Sequence, residues 1–219
     1  MSPPPRLAVL ASGRGSNLQC LQDAIAAGQL DAQIVGVFSD KPAAAALEKV
    51  APAQRWARSP SDFADREAFD SALADAVAAS KPDWIICAGY MRILGAGFVQ
   101  RFSGRLVNIH PSLLPLHKGL HTHARAIEAG DAEHGASVHF VVPELDAGAV
   151  IAQARVPVLA GDSAEVLAKR VLAVEHPLLL ASVQLLVAGR LAERDGMVHY
   201  DGQSGFSPLR LDSAGTLRR

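Results

Sequence analysis

The sequence has few of the features that mark disulfide-rich, membrane-spanning or nucleic-acid-binding proteins. Its 219 residues include two cysteines, Cys20 and Cys87, which are too few for a disulfide framework or a thiolate metal site. The 21 Lys and Arg residues are balanced by 22 Asp and Glu residues, so no excess positive charge is available to hold a polyanion. No uninterrupted apolar run reaches membrane-spanning length. We therefore expect a soluble cytoplasmic protein whose partners include neither nucleic acid nor a membrane.

The residues that are present favour one sizeable core, because 49% are hydrophobic and 20% are charged. Apolar runs alternate with helical periods along most of the chain, and the last third adds two strands that we expect to pair antiparallel. This order predicts an α/β fold, with a mostly parallel open sheet, helices on both faces and an antiparallel C-terminal portion. We expect a single domain over residues 1–203 and a disordered tail over 204–219. The predicted strands are 7–11, 33–38, 54–57, 83–88, 105–110, 136–142 and 150–158, and the predicted helices are 18–27, 41–50, 65–79, 98–102, 121–129 and 164–187, the last kinked or split at Pro177.

Two polar side chains stand at the end of the predicted strand 105–110. Alternation along a strand places Asn108 and His110 on the same face, and Pro111 ends the ladder directly afterwards. In open α/β sheets, ligands bind at the carboxyl edge of the strands. An amide can stabilise a developing oxyanion and an imidazole can carry a proton. The alternative interpretation is a hydrogen-bonded core histidine beside an asparagine at a strand end.

A glycine-rich turn, Ser12–Asn17, follows the first strand and precedes a helix. Its free N–H groups at a helix N-terminus form a potential anion site. A tight strand-to-helix connection without a ligand remains possible, because the turn has neither the P-loop sequence nor the dinucleotide fingerprint.

Other candidate residues are ambiguous by type alone. Arg66 is typical of a solvated surface residue and Asp146 of an ordinary turn residue. Met91, Ile93 and Leu94 are typical of core packing. The run His121-Thr122-His123 carries no carboxylate or cysteine at ligand spacing, so we expect no metal site.

Together these segments resemble one known family. The segments Ser12–Asn17, Gly89–Leu94, Asn108–Pro115, Gly119–His123 and Glu144–Gly148 are similar, in order and spacing, to those of the phosphoribosylglycinamide formyltransferases of purine biosynthesis. The resemblance covers about residues 6–203. It implies the formyltransferase fold, and transfer of a formyl group from 10-formyltetrahydrofolate to the amine of N1-(5-phospho-D-ribosyl)glycinamide. It further implies small-molecule substrates, no metal, and a monomer or homodimer.

The resemblance also assigns residues. It implies a catalytic trio of Asn108, His110 and Asp146, phosphate binding by Gly15, Ser16 and Asn17, substrate contact by Glu175, and folate binding by Arg66, Met91, Arg92, Ile93, Leu94 and Asn108. Direct transfer through a tetrahedral intermediate follows, with His110 as general acid and with Asp146 favouring its charged form.

Some positions differ from the family pattern. Lys118 and Ala147 stand where proline and glycine are frequent, and Leu172 stands where some members have a polar residue. Two other functions stay open at this point. The first is a folate-dependent formyltransferase acting on another amine, and the second is a non-catalytic nucleotide-binding α/β domain.

Overall fold

The computed structural model describes residues 3–205 and 207–219. The chain divides into two compact units. One comprises the residues up to Asn108 together with Val141–Pro143, and the other comprises Ile109–Phe140 and Glu144–Arg219. The predicted single domain and tail include Met1, Ser2 and Phe206, which lie outside the described residues.

The first unit is built on parallel strands. The strands are β1 Arg6–Leu10, β2 Gln33–Ser39, β3 Arg55–Ala57, β4 Trp84–Cys87 and β5 Leu106–His110, the last two residues of β5 belonging to the second unit. Their order is β5-β4-β1-β2-β3, and each neighbouring pair runs parallel. The helices are α1 Ser16–Ala26, α2 Arg66–Ala79 and α3 Ala96–Arg101, with 3-10 turns at Ala45–Lys49, Pro52–Gln54 and Pro60–Asp62.

Burial explains why the continuous apolar runs form the central strands. The strand β1 is buried from Leu7 to Leu10, as expected for a parallel strand covered on both faces. The helices α2 and α3 contribute the apolar faces that the sequence period predicts. Phe69, Leu73 and Val77 of α2 share one core with Phe98 and Phe102.

The second unit contains the antiparallel portion. Its elements are α4 Thr122–Glu128, β6 Glu133–Phe140, β7 Val150–Pro157, α5 Ala164–Val187, β8 Leu191–Arg194, β9 Met197–Tyr200, β10 Leu209–Leu211 and β11 Leu217–Arg218. Strand β6 pairs antiparallel with β7, β10 adds to β7 in parallel, and β11 pairs antiparallel with β10. A separate antiparallel hairpin is formed by β8 and β9. The predicted fold class is confirmed.

Helix α5 continues through Pro177 as one helix of 24 residues and is not split there. Eight of its residues are buried, and it packs on β6 and β7. Within the described part of the chain it is the one helix long and apolar enough to cross a membrane by length and composition. A core helix of a soluble protein has the same properties, and the packing on β6 and β7 fits that role.

Two local predictions differ from the structure. The predicted helix 41–50 is instead a 3-10 turn at Ala45–Lys49. The reason is a backbone contact, since the Ala46 N–H donates to the Gly13 carbonyl at 3.0 Å rather than to an earlier residue of the same helix.

The tail, predicted to be disordered over 204–219, contains the short strands β10 and β11. Leu209 and Leu217 are buried in it. Strands of three and two residues are too short for alternation to be recognised in a sequence.

Candidate active site

The glycine turn is held tightly against the 3-10 turn Ala45–Lys49. Gly15 has φ of +72° and precedes α1 directly. A Cβ atom at Gly15 would lie 2.8 Å from the Cβ of Ala46, so only glycine fits without displacement. Ser16 and Asn17 form the first turn of α1, where backbone N–H groups lack intrahelical partners. The turn therefore has the geometry of an anion site.

The segment Met91–Leu94 follows β4 in the first unit and is only partly core. Met91 and Ile93 are 58% and 51% exposed, whereas Leu94 is 8% exposed. Core packing is thus the correct interpretation for Leu94 alone. The backbone is fixed at two points, because Ser12 Oγ accepts from the Met91 N–H at 2.9 Å and Arg66 Nη2 donates to the Ile93 carbonyl at 2.8 Å. Two apolar side chains are consequently presented to solvent on a fixed backbone.

A buried carboxylate, which sequence reasoning missed, organises the arginines near this segment. Asp70 is 6% exposed and accepts from the Gly95 N–H at 3.0 Å. Its oxygens lie 3.5 Å from Arg66 Nε and 3.9 Å from Arg92 Nε. The Arg92 guanidinium also lies 5.1 Å above the Phe69 ring. Arg66 is therefore an ion-pair partner rather than a freely solvated residue. The signal was an acidic residue on the apolar face of α2, four positions after Arg66.

The second unit contains the histidine of β5. His110 is 6% exposed, and its Nδ1 lies 3.5 Å from Oδ2 of Asp146. Its Nε2 lies 3.1 Å from the carbonyl oxygen of His117. Asn108 precedes His110 by two positions on the same strand, as the alternation predicts. The side chain of His110 is buried but faces polar groups on both ring nitrogens.

Asp146 is held in place by three groups of the second unit. The Gly119 N–H donates to Oδ2 at 2.8 Å, and Nε2 of His139 lies 3.6 Å from Oδ1. The third is His110. Asp146 itself has φ of +47°, a conformation that Asp tolerates better than most residues. It is therefore more than an ordinary turn residue.

His139 is a further site residue that sequence reasoning did not select. It is 2% exposed, and burial lowers the pKa of its imidazole. Its Nδ1 donates to the Phe140 carbonyl at 2.8 Å. The available signal was a polar residue within the alternating strand β6, two positions after Ser137.

The remaining candidates lie in the second unit. Glu175 is a partly buried residue near the middle of α5. His123 Nδ1 lies 3.1 Å from His134 Nε2, while His121 is exposed. Across residues 3–205 and 207–219, no group of three His, Cys, Asp or Glu side chains is arranged to hold a metal ion.

Comparison with known proteins identifies the family of the chain. A family model described as formyl transferase matches residues 5–183. Phosphoribosylglycinamide formyltransferase from Escherichia coli (strain K12) is 45% identical over 199 residues, covering 90% of this chain and 94% of that protein. The phosphoribosylglycinamide formyltransferase structure from Coxiella burnetii, in complex with CHES, has a TM-score of 0.85 and 41% identity, covering 92% of this chain and 95% of that chain.

A more distant structure is that of a formyltetrahydrofolate deformylase from Pseudomonas syringae. It has a TM-score of 0.80 but 26% identity, and this chain covers 66% of its length. Identity and coverage therefore place the sequence with the first group of relatives. The chain belongs to the formyl transferase family and, within it, to the phosphoribosylglycinamide formyltransferases.

Proposed function

We propose that this protein transfers a formyl group from 10-formyltetrahydrofolate to the amine of N1-(5-phospho-D-ribosyl)glycinamide, a step of purine biosynthesis. The relatives that match most of its length are named phosphoribosylglycinamide formyltransferase, which gives the transferred group and its acceptor. The observation that carries the proposal is the buried imidazole of His110, whose Nδ1 lies 3.5 Å from the Asp146 carboxylate. A buried imidazole beside a carboxylate is suited to proton transfer, because the carboxylate orients the ring.

We infer that the ribonucleotide is bound by the glycine turn. Gly15, Ser16 and Asn17 stand at the N-terminus of α1, where backbone N–H groups and the helix dipole favour a phosphate. The tight approach of Ala46 to Gly15 keeps the turn in this shape. Glu175 is assigned to the same substrate on the family resemblance.

We assign the folate to the segment Met91–Leu94, together with Arg66, Arg92 and Asn108. Met91 and Ile93 present exposed apolar side chains, which suit an aromatic ring system. The guanidinium groups of Arg66 and Arg92 suit the carboxylates of a glutamate tail. These residues therefore fit a ligand that is aromatic at one end and acidic at the other. When bound, 10-formyltetrahydrofolate supplies the formyl group.

The roles of the catalytic trio follow from their chemistry. Attack by the substrate amine on the formyl carbon places negative charge on the formyl oxygen. The Asn108 amide and the Nε2–H of the His110 ring donate hydrogen bonds to that oxygen. His110, or a water held by Asp146, carries the proton from the attacking amine nitrogen towards N10 of the folate. The bond between N10 and the formyl carbon then breaks, and the folate leaves as a neutral amine. Binding both substrates in register contributes a large part of the rate enhancement. The residues form no covalent intermediate in this scheme.

The relatives support partners that are small molecules. We propose a cytoplasmic enzyme that acts as a monomer or homodimer. Sedimentation of the purified protein tests the oligomeric state.

The test of the activity is a direct assay. The purified chain is incubated with 10-formyltetrahydrofolate and the ribonucleotide, and tetrahydrofolate formation is followed. We expect turnover that depends on the ribonucleotide. Turnover with a different amine would replace the proposal with another formyltransferase, turnover with water alone would replace it with a deformylase, and no turnover with any amine would favour a binding protein.

A further inference from the structure

We propose that His117 and Asp131 are positioning residues for the general acid His110. The His117 backbone carbonyl keeps a proton on Nε2 of His110, and the Asp131 carboxylate holds His117 where its carbonyl can do so. This inference rests on the proposed function, in which His110 is the proton donor. All the residues involved belong to the second unit.

The two nitrogens of the His110 ring face different groups. Its Nδ1 faces Asp146 at 3.5 Å, so Nε2 is the ring nitrogen directed away from the carboxylate. That nitrogen lies 3.1 Å from the His117 carbonyl oxygen. A carbonyl oxygen can only accept a hydrogen bond, so Nε2 is the donor in this contact and bears a hydrogen. The ring is thereby fixed with a transferable proton on the side opposite Asp146.

The side chain of Asp131 holds His117 in an uncommon backbone conformation. The φ of His117 is +51°, in the left-handed region of backbone conformation that residues other than Gly, Asn and Asp rarely adopt. Its ring Nε2 donates to Asp131 Oδ2 at 2.6 Å. The two side chains are 12% and 24% exposed, so water competes with this hydrogen bond only in part. A charge-assisted hydrogen bond of this kind can maintain the otherwise disfavoured backbone.

Asp131 is itself anchored to helix α4. It follows α4, and its N–H donates to the Ala126 carbonyl at 3.1 Å. From the same helix, Arg125 Nη1 donates to the carbonyl of Lys118, the residue after His117. The consecutive loop residues His117 and Lys118 are thus hydrogen-bonded to the turn after α4 and to α4 itself. The loop carbonyl is consequently fixed by this helix and its C-terminal turn rather than by the loop alone.

During the reaction, the formyl oxygen takes the place of the His117 carbonyl as the acceptor of the Nε2 proton. The carbonyl contacts no reacting atom in this scheme. Its contribution is to orient the ring and to select the nitrogen that carries the proton before the substrate arrives. Such an effect acts on the chemical step and leaves substrate binding unchanged.

The test compares Asp131→Ala with Asp131→Asn. The alanine variant removes the acceptor, so we expect kcat to fall on the order of tenfold, with the KM of each substrate changed by less than about twofold. The asparagine variant retains a neutral acceptor of the same size, and we expect it to recover most of the loss. His117→Asn tolerates the positive φ but removes the ring, so it should match Asp131→Ala, and the double variant should lose no more than either single variant.

The matched control is Glu133→Gln. It removes an exposed ion pair with Arg155 of 2.8 Å in the same unit, and kcat should stay at the wild-type value. Thermal unfolding of every variant separates a loss of positioning from a loss of folded protein.

A second readout does not depend on turnover. ¹⁵N NMR of the imidazole nitrogens of His110 should show a protonated Nε2 in the wild type and a shift towards a tautomer mixture in Asp131→Ala. Unchanged His110 signals, or a kcat that is unchanged or raised in Asp131→Ala, would overturn the positioning role. A wild-type protein without transferase activity would instead overturn the proposed function, and the NMR comparison would still decide the positioning role.

Discussion

The hydroxyl of Ser12 donates a hydrogen bond to the carboxylate of Asp40, and both side chains are buried. Ser12 follows β1 and Asp40 follows β2, the strand paired with it in parallel. The same hydroxyl accepts from the Met91 N–H at 2.9 Å. One small side chain therefore joins the glycine turn to the segment that we assign to the folate.

Ser12→Ala should destabilise the first unit and disturb the folate segment. It leaves the Asp40 carboxylate with one donor fewer and the Met91 N–H without its acceptor. Unsatisfied buried groups of this kind cost about 1–3 kcal/mol each. We expect a loss of roughly that size in the free energy of unfolding by urea, together with a raised KM for 10-formyltetrahydrofolate. The control is Ser80→Ala, which loses one bond to the Val77 carbonyl. An equal loss in both variants would contradict the linking role.

Asp70→Asn should weaken folate binding more than ribonucleotide binding. The amide can still accept from the Gly95 N–H, but the negative charge facing Arg66 and Arg92 is removed. The two guanidinium groups then lose the partner that orients them. We expect the KM for 10-formyltetrahydrofolate to rise about tenfold, which corresponds to ~1.4 kcal/mol.

A matched control for this variant lies on the same helix. Asp75→Asn removes a carboxylate that pairs with Arg101 at 2.6 Å in an exposed position, and exposed pairs contribute little. Its KM values should stay at the wild-type level. A rise in the ribonucleotide KM of Asp70→Asn equal to that for the folate would argue against a role specific to the folate segment.

Gly15→Ala should raise the KM for the ribonucleotide more than that for the folate. Its φ of +72° is unfavourable for alanine, by about 1–2 kcal/mol, and the new Cβ would approach Ala46. The neighbouring Gly13→Ala is the control, because its Cβ would meet nothing within 4 Å. Steady-state kinetics with each substrate varied in turn makes the measurement. Equal behaviour of the two variants would remove the turn from the ribonucleotide site.

His110→Ala should lower kcat by about 10²–10⁴-fold, the usual contribution of a positioned proton-transfer group. The thermal midpoint should show that the protein remains folded. The comparison is His199→Ala in the hairpin of β8 and β9, which should keep wild-type turnover. Near wild-type turnover of His110→Ala would exclude His110 as the general acid.

His134 should make the folded state sensitive to acid. Burial, followed by the neighbouring His123 and His117, lowers the pKa of His134 from 6.5 to about 4. The unfolded chain therefore binds a proton between these values while the folded chain does not, so stability falls as the pH drops from 6.5 to 4 and is fully present above 6.5. Urea unfolding across this range should show that the free energy of unfolding depends less steeply on pH in His134→Gln than in the wild type. Measurements at pH 8 give the loss from packing alone, and an unchanged slope would refute the role of His134.

Most of the fold could be predicted from the sequence, because the patterns that decide its strands, helices and turns lie among neighbouring residues. The apolar run at β1 and the turn at Gly15 are decided by neighbouring residues, and both form as predicted. The 3-10 turn Ala45–Lys49 was misjudged because the Gly13 carbonyl competes for its backbone. The strands of the tail depend on Ala152 and Gln153 in β7, which lie more than fifty positions away.

The candidate site shows the same limit. Asn108 and His110 could be paired from the alternation of one strand. By contrast, Asp70, His139 and Asp131 act on residues brought to them by folding, and each belongs to an ordinary residue type on an ordinary helix, strand or loop. The sequence marks Asp70 and His139 only as polar residues among apolar ones, and the contacts of the three residues are known from their distances to Arg92, Asp146 and His117.

The two short strands at the end of the chain have a consequence for solubility. Strand β10 covers the edge of β7 that would otherwise display unpaired N–H and C=O groups to other molecules, a template for aggregation. The final pair places Arg210 directly opposite Arg218, and both are exposed. Like charges across a ladder cost some stability, although Arg218 also pairs with Asp212 at 2.9 Å. Charged side chains on an edge strand disfavour pairing with an incoming strand. Strands β10 and β11 thus lose a little pairing energy, but they leave a sheet edge that other molecules are less able to join.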